Sequence, residues 1–331
     1  MNFGTLARAP RALAYWLGLA GAARRGNGCA RVLMLHGVPR RHARLVRGLL
    51  AYVRQHFDVV PLSVLLADNL RLRNQIAITF DDGLRNNVEV VYPILQSLGL
   101  PATFFVCPGL IGSGAWLWNH EARQRLRRLR LAPEDVVAKV EAMKRLPFAA
   151  RLEEEKRIRD ATPDFAPTEE ERHEFDLAGW DELKALDPSL ITIGSHTLTH
   201  PILPSLDALH LEREVSQSRK VLEERLQRPV ELFAYPNGDV DARSLDCVRR
   251  HYRGAVTVEE GNVLPGSDHH LLPRLNVPGS RLRFALTLHR DHFLVTPTSQ
   301  SGSQVASSGN TVMMARQRII MKKNGSEASA T

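Results

Sequence analysis

Two short strings in this chain hold side chains of the kinds that bind a divalent ion and move protons. Ile78-Thr79-Phe80-Asp81-Asp82-Gly83 delivers two adjacent carboxylates to a glycine turn, and Ser195-His196-Thr197-Leu198-Thr199-His200 presents two imidazoles four positions apart. Imidazole nitrogen and carboxylate oxygen suit Zn²⁺ and similar ions, and a catalytic site uses three protein ligands so that a further position stays open. One Asp and two His meet that requirement, and the spare carboxylate is a base for water whose pKa the ion lowers. Singly, each string is weak: Asp-Asp-Gly is an ordinary turn signal, and paired histidines on a helix face are commonly solvated or packed. Their conjunction carries the signal. Each follows a short β-type run, at 75–80 and 190–194, and strand ends are where α/β folds build sites.

The elements that must position these groups follow from hydrophobic period and turn chemistry. Apolar runs at 32–35, 57–60, 75–80, 102–106, 190–194, 231–234, 254–258 and 270–273 read as strands, and stretches at 41–56, 86–97, 180–186, 207–226 and 241–250 read as helices. Adjacent strand residues face opposite ways, so Asp81 and Asp82 reach one rim only because the strand runs into the Gly83 turn. Strands alternating with helices imply a parallel sheet, and about seven such units favour an α/β fold closed into a distorted (β/α)7-type barrel over residues 31–295.

From residue 115 to 176 the rhythm breaks, with a basic run at 123–131 and acidic runs at 153–155 and 169–171. Such runs are ordinarily solvated helix faces, so a charged helical insertion is expected. Following a strand end, it lies on the rim of the two motifs and is a candidate wall for a substrate groove. Trp116, Trp118 and His120 at its start either stack on a sugar ring or pack the insertion onto the barrel.

Thr79-Phe80-Asp81-Asp82-Gly83 and Ser195-His196-Thr197-Leu198-Thr199-His200 resemble the first two motifs of the polysaccharide deacetylases, the NodB-homology or carbohydrate esterase family 4 enzymes. Phe233-Ala234-Tyr235-Pro236-Asn237-Gly238 is similar to their third motif, and the resemblance extends over residues 31–280. It implies a metal-dependent hydrolase that removes N-acetyl, or O-acetyl, groups from a glycan. By the resemblance Asp82, His196 and His200 hold a divalent metal, with Zn²⁺ preferred, Asp81 is the base, and the Tyr235 backbone N–H is an oxyanion donor. The family usually carries an Arg where Ala234 stands, and Arg274, in Leu272-Pro273-Arg274, is the substitute expected to orient Asp81. The late Leu-x-His motif that supplies a general acid is poorly copied at Leu288-His289. His36, which closes a strand-like run, resembles the acid of members whose motif order is circularly permuted and is the expected acid. Two other readings share these motifs: hydrolysis of another non-peptide C–N bond, and a non-catalytic carbohydrate-binding relative.

Length and composition suit one enzyme domain. At 331 residues with 44% hydrophobic positions the chain can bury a large core, and a barrel of about 200–250 residues accounts for most of it. Cys29, Cys107 and Cys247 lack metal-ligand spacing and imply no disulfide framework. The net charge of +8 sits at the ends: residues 1–31 hold five Arg and no acid, and residues 297–331 hold Arg316, Arg318, Lys322 and Lys323 against Glu327. A neutral body without a reader motif argues against nucleic acid, and the resemblance implies an acetylated glycan as the expected partner. Basic arms suit peripheral contact with an anionic membrane. Residues 12–23 are apolar but too few to span a bilayer, and read as a signal-peptide core or a peripheral helix. Arg24 and Arg25 directly behind them favour retention, so a cytoplasmic or inner-membrane-peripheral location is expected over export. Residues 1–30 thus form a basic, apolar N-terminal segment, and the polar stretch 296–331 is expected to be a disordered tail.

Overall fold

Parallel strands alternate with helices along a chain whose computed structural model describes residues 28–67, 72 and 74–288. The apolar stretch 12–23, the arginines before residue 28, His289 and the tail 296–331 lie outside the described residues. The strands are β1 (Arg31–Leu35), β2 (Asp58–Val59), β3 (Gln75–Phe80), β4 (Ala102–Val106), β5 (Ile191–Ser195), β6 (Leu232–Ala234), β7 (Gly254–Glu260) and β8 (Leu272–Asn276). β8 pairs with β1 and β1 with β3, which closes a barrel of all the strands except β2. The two-residue β2 lies beside Gln75 and Ile76 at the start of β3, and β4 takes over beside Thr79 and Phe80. This is the expected (β/α)7 barrel.

Strand period two sorts the barrel into two apolar layers. Val32, Ala77, Phe105, Leu232, Ala234, Val256 and Leu272 fill the interior, where Leu62, Leu65 and Leu66 of a short 3₁₀ turn plug one end. Leu33, Ile76, Ile78, Phe80, Phe104, Ile191, Ile193 and Phe233 face outward under the helices. The interior is tight: a Cβ on Gly194 would stand 2.5 Å from the Phe105 ring. A side chain there would displace the aromatic ring that fills the bore.

The helices are α1 (Ala43–His56), α2 (Tyr92–Leu98), α3 (Trp118–Arg128), α4 (Pro133–Met143), α5 (Phe148–Asp160), α6 (Glu169–Phe175), α7 (Trp180–Lys184), α8 (Ala208–Leu226), α9 (Ala242–His251) and α10 (Arg281–Leu288). Asp207 and Asp241 cap α8 and α9 by accepting the backbone N–H of His210 and Ser244. The helix expected at 86–97 instead opens with a π turn, Asn87–Val91, before α2. Pro93 lacks the N–H that would return to the carbonyl four residues earlier, and the wider turn absorbs that missing bond.

The insertion is α3 to α6, built over its own core of Trp118, Ala122, Leu126, Val136, Val140, Met143 and Ile158. Many of its charged residues form surface pairs such as Arg128–Glu171 at 2.6 Å, but Glu155 of the 153–155 run is buried against Arg151, so that run is only partly a solvated face. At its far end Ala178 N–H donates to the Gly83 carbonyl at 2.9 Å, and Arg85 N–H donates to the Asp176 carbonyl at 2.8 Å. The insertion is therefore stitched to the Asp-Asp-Gly turn. Among the described residues no helix is long and apolar enough to cross a membrane.

Candidate metal centre

The two carboxylates sit side by side in sequence but are held in different ways. Asp81 continues the interior phase of Ala77 and Thr79, and its N–H donates to the Leu35 carbonyl at 2.9 Å. Asp82 would face outward in a regular strand. Its φ of +76°, followed by +68° at Gly83, turns the chain back and brings both side chains to one rim. Gly83 is required twice, because a Cβ there would meet Val106 Cβ at 2.9 Å as well as adopting a left-handed backbone.

Asp81 is locked by Arg274, which is fully buried in the interior phase of β8. The guanidinium donates to both Asp81 oxygens at 2.7 Å, to Thr79 Oγ1 at 3.1 Å and, through Nε, to the Thr257 carbonyl at 2.7 Å. Burial works against the Asp81 charge, but Arg274 outweighs it and holds the carboxyl well below the usual range. Asp81 is therefore ionised.

His196 and His200 come from a tight turn after β5, not from a helix. Thr197 and His200 have φ of +66° and +64°, and such left-handed non-glycine residues persist only where their surroundings fix them. Thr197 Oγ1 accepts the His200 N–H at 2.9 Å. The buried Glu214 of α8 accepts Thr199 N–H at 2.8 Å and Thr199 Oγ1–H at 2.7 Å. From the insertion, Trp118 Nε1–H donates to the His200 carbonyl at 3.0 Å. His196 Nδ1 lies 2.7 Å from the Ala234 carbonyl, which assigns the hydrogen to Nδ1 and leaves the Nε2 lone pair for the site. Ala234, where the family's usual Arg is missing, contributes through its backbone.

These elements bring Asp82, His196 and His200 together. His196 Nε2 and His200 Nε2 stand 3.7 and 3.6 Å from Asp82 Oδ1, and one ligand atom from each residue lies within 4.8 Å of the others. Burial, and then His196, push His200 down to about 3, which keeps its imidazole in the neutral, metal-binding form. Burial opposes charge on Asp82, yet the surrounding histidines hold its carboxyl below the ordinary range. A buried carboxylate oxygen facing two imidazole nitrogens is a donor set that fits a divalent ion.

The other expected residues divide. His36, half exposed, has Nε2 3.9 Å from Asp81 Oδ2, at the edge of the site. The Tyr235 N–H, expected as an oxyanion donor, donates to the Val256 carbonyl at 3.2 Å and extends the β6–β7 pairing. Its ring is buried in the outward layer. Trp116 and Trp118 are both 5% exposed. The Trp116 Nε1–H donates to Asp176 Oδ1 at 2.8 Å, and the Arg151 guanidinium lies 4.6 Å from the Trp118 ring centre. Both indoles are spent on packing rather than offering a face to a sugar: Trp116 lies against Phe165 and Phe175 within the insertion, and Trp118 sits in the insertion core with its N–H on the His200 carbonyl.

Two participants were not singled out by sequence as parts of the centre. Glu214 interrupts the buried face Leu211, Val215, Ser218 and Leu222 of α8, and an acid at such a position is a readable sign of a buried polar duty. His120, in the first turn of α3, has Nε2 3.8 Å from Asp82 Oδ2. A separate donor cluster, Glu212, Cys247 and His251, is satisfied by its own contacts: Glu212 pairs with Arg250 at 2.7 Å and lies 2.6 Å from His251 Nε2.

Comparison with known proteins agrees with this geometry. The polysaccharide deacetylase family model matches residues 71–253, more than half of the chain and all of Asp81, Asp82, His196 and His200. Among solved structures, the Streptococcus pyogenes deacetylase PplD in complex with acetate is 17% identical with a TM-score of 0.55, over 79% of this chain and 98% of that one. IcaB from Ammonifex degensii is 18% identical with a TM-score of 0.55, over 80% and 98% of the two chains. The polysaccharide deacetylase BC0361 from Bacillus cereus gives 17% and 0.55, over 79% and 69%. At these identities the likeness is one of fold. No curated protein matches the chain.

Proposed function

The chain belongs to the polysaccharide deacetylase family, and from that premise we propose that it is a metal-dependent hydrolase removing N-acetyl groups from a glycan. The observation that carries the reading is the clustering of Asp82, His196 and His200 beside an Asp81 fixed at two points by Arg274. Asp82, His196 and His200 would hold a divalent ion, with Zn²⁺ favoured by the mixed nitrogen and oxygen donors. When bound, such an ion supplies Lewis-acid polarisation of a carbonyl and a lowered pKa for water.

Around it the chain's own residues perform the proton transfers. Asp81 is ionised and oriented by Arg274, and each of its oxygens keeps a lone pair beyond the Arg274 bonds, so it accepts the proton of the attacking water. The water oxygen bonds to the acyl carbon, and the C–N bond then breaks. Protonated His36, across the Asp81 edge, donates its proton to the departing amine, which leaves the sugar with a free amino group and releases acetate.

Acetate release from N-acetylated oligosaccharides, measured alongside bound metal, tests this reading. Wild type is expected to bind about one ion per chain and to release acetate. Asp81→Asn should keep the ion and lose turnover, while Asp82→Ala should lose both. Metal-loaded, folded wild type that cleaves a small amide but no acetylated sugar would transfer the site to another C–N substrate. A chain that binds glycan but no ion would be a binding protein.

A further inference from the structure

His120 comes from the insertion, not the barrel, yet it faces the carboxylate at the centre of the site. Asp82 presents Oδ1 to His196 and His200, and Oδ2 to His120 Nε2 at 3.8 Å. The imidazole is only 13% exposed. Phe175 packs against it with ring centres 5.0 Å apart, and the preceding Trp118 is pinned to the His200 carbonyl at 3.0 Å. His120 is thus held from both ends of the insertion.

The tautomer follows from what each nitrogen meets. His120 Nδ1 is buried without a hydrogen-bond partner. His200 Nδ1 is orphaned in the same way, but its Nε2 shares Asp82 Oδ1 with His196, where an ion would sit. His120 Nε2 instead meets the separate acceptor Oδ2, so there the hydrogen is assigned to Nε2. The 3.8 Å separation is too long for a hydrogen bond and too short for an intervening water, and a movement of about 1 Å would bring it to bonding distance. His120 stands outside the mutually close set of Asp82, His196 and His200, so it is placed as a support for that set.

We propose that His120 is a positioning residue: its Nε2–H holds Asp82 Oδ2, reserving Oδ1 for the ion, and it makes the insertion part of the metal centre. This rests on the reading of Asp82 as a metal ligand. Ligating carboxylates are commonly oriented by such outer hydrogen bonds, whose loss weakens metal binding by about 10- to 100-fold.

The test is the affinity of the full chain for Zn²⁺, measured by chelator competition, together with the visible spectrum of the Co²⁺-loaded form. Wild type, Asp82→Ala, His120→Ala and His120→Gln are compared, with folding checked by circular dichroism and urea denaturation. His120→Ala should bind about 10- to 100-fold more weakly with an altered Co²⁺ spectrum. His120→Gln, which keeps an N–H near the Nε2 position, should recover most of the affinity. His120→Ala with wild-type affinity and spectrum overturns the inference while Asp82→Ala still confirms the site. A His120→Gln as weak as His120→Ala also overturns it, because the ring itself would then be needed. No ion in wild type would remove the metal reading, and this inference with it.

Discussion

The two halves of the candidate metal centre are built by different physics. Asp81 directly follows strand β3 and Arg274 stands on β8, and their meeting is set by barrel register and by the alternation of side chains across each strand. His196, His200 and His120 stand on a left-handed turn and an inserted helix, and their placement depends on side chains from elsewhere: Glu214, Trp118 and the Ala234 carbonyl. One half is fixed by the scaffold, and the other is clamped onto it. Damage to the first should appear as lost stability, and damage to the second as lost metal affinity in a folded chain.

The largest effect is expected from Arg274→Met, which strands the 2% exposed Asp81 as a buried, unpaired charge. Breaking one side of such a pair costs about 3–5 kcal/mol, whereas removing both charges is far milder. Asp81→Asn combined with Arg274→Met should therefore be more stable in urea than Arg274→Met alone. Acidity sharpens the contrast. Wild-type Asp81 has a depressed folded pKa, so its contribution is present above the unfolded carboxylate pKa of about 3.9 and is lost as pH falls through the folded value. Between about pH 7 and pH 5 that contribution is flat, because the group is ionised in both states. In Arg274→Met the folded pKa is raised, so acidification over the same interval should stabilise the ion-free variant. A single variant whose urea midpoint matches wild type would mean that the ion pair contributes no more than an apolar contact.

Glu214→Ala probes the clamped half. It leaves Thr199 N–H and Oγ1–H without their acceptor, at a cost of about 1–3 kcal/mol. The barrel should remain folded, while the loosened His196–His200 turn lowers Zn²⁺ affinity by about 10- to 100-fold. Glu214→Gln retains an acceptor oxygen and should lie between the two. An alanine variant that binds Zn²⁺ as wild type does would show that the left-handed turn is self-supporting.

The same division explains what could be read from sequence. The strand carrying Asp81 at 75–80 and the one after Pro101 at 102–106 were legible to the residue, because apolar runs bounded by turn residues have few alternatives. Arg274 was legible through resemblance, and its interior phase two residues after Leu272 agrees with strand parity. Parity also bears on the Tyr235 amide. One residue past β6 the chain still pairs with β7, and its N–H donates to the Val256 carbonyl. The clamps were obscure for a physical reason. Glu214, Trp118 and His120 act on residues 15, 82 and 38 positions distant, through contacts that depend on how α8 and the insertion dock. Local periodicity carries no information about docking.

Trp118→Phe is the finest cut between the halves, and its expected effect is the smallest. It removes only the Nε1–H bond to the His200 carbonyl, while an aromatic face stays under the Arg151 guanidinium. The loss should be about 1 kcal/mol in urea denaturation, with a modest fall in Zn²⁺ affinity as the turn gains freedom. KM for an acetylated oligosaccharide should not move, because the indole is 5% exposed and faces the insertion core. A KM rise of several-fold with unchanged stability would instead place the ring against the sugar. A fall in metal affinity at constant KM would show that the insertion acts on the site through the backbone of His200.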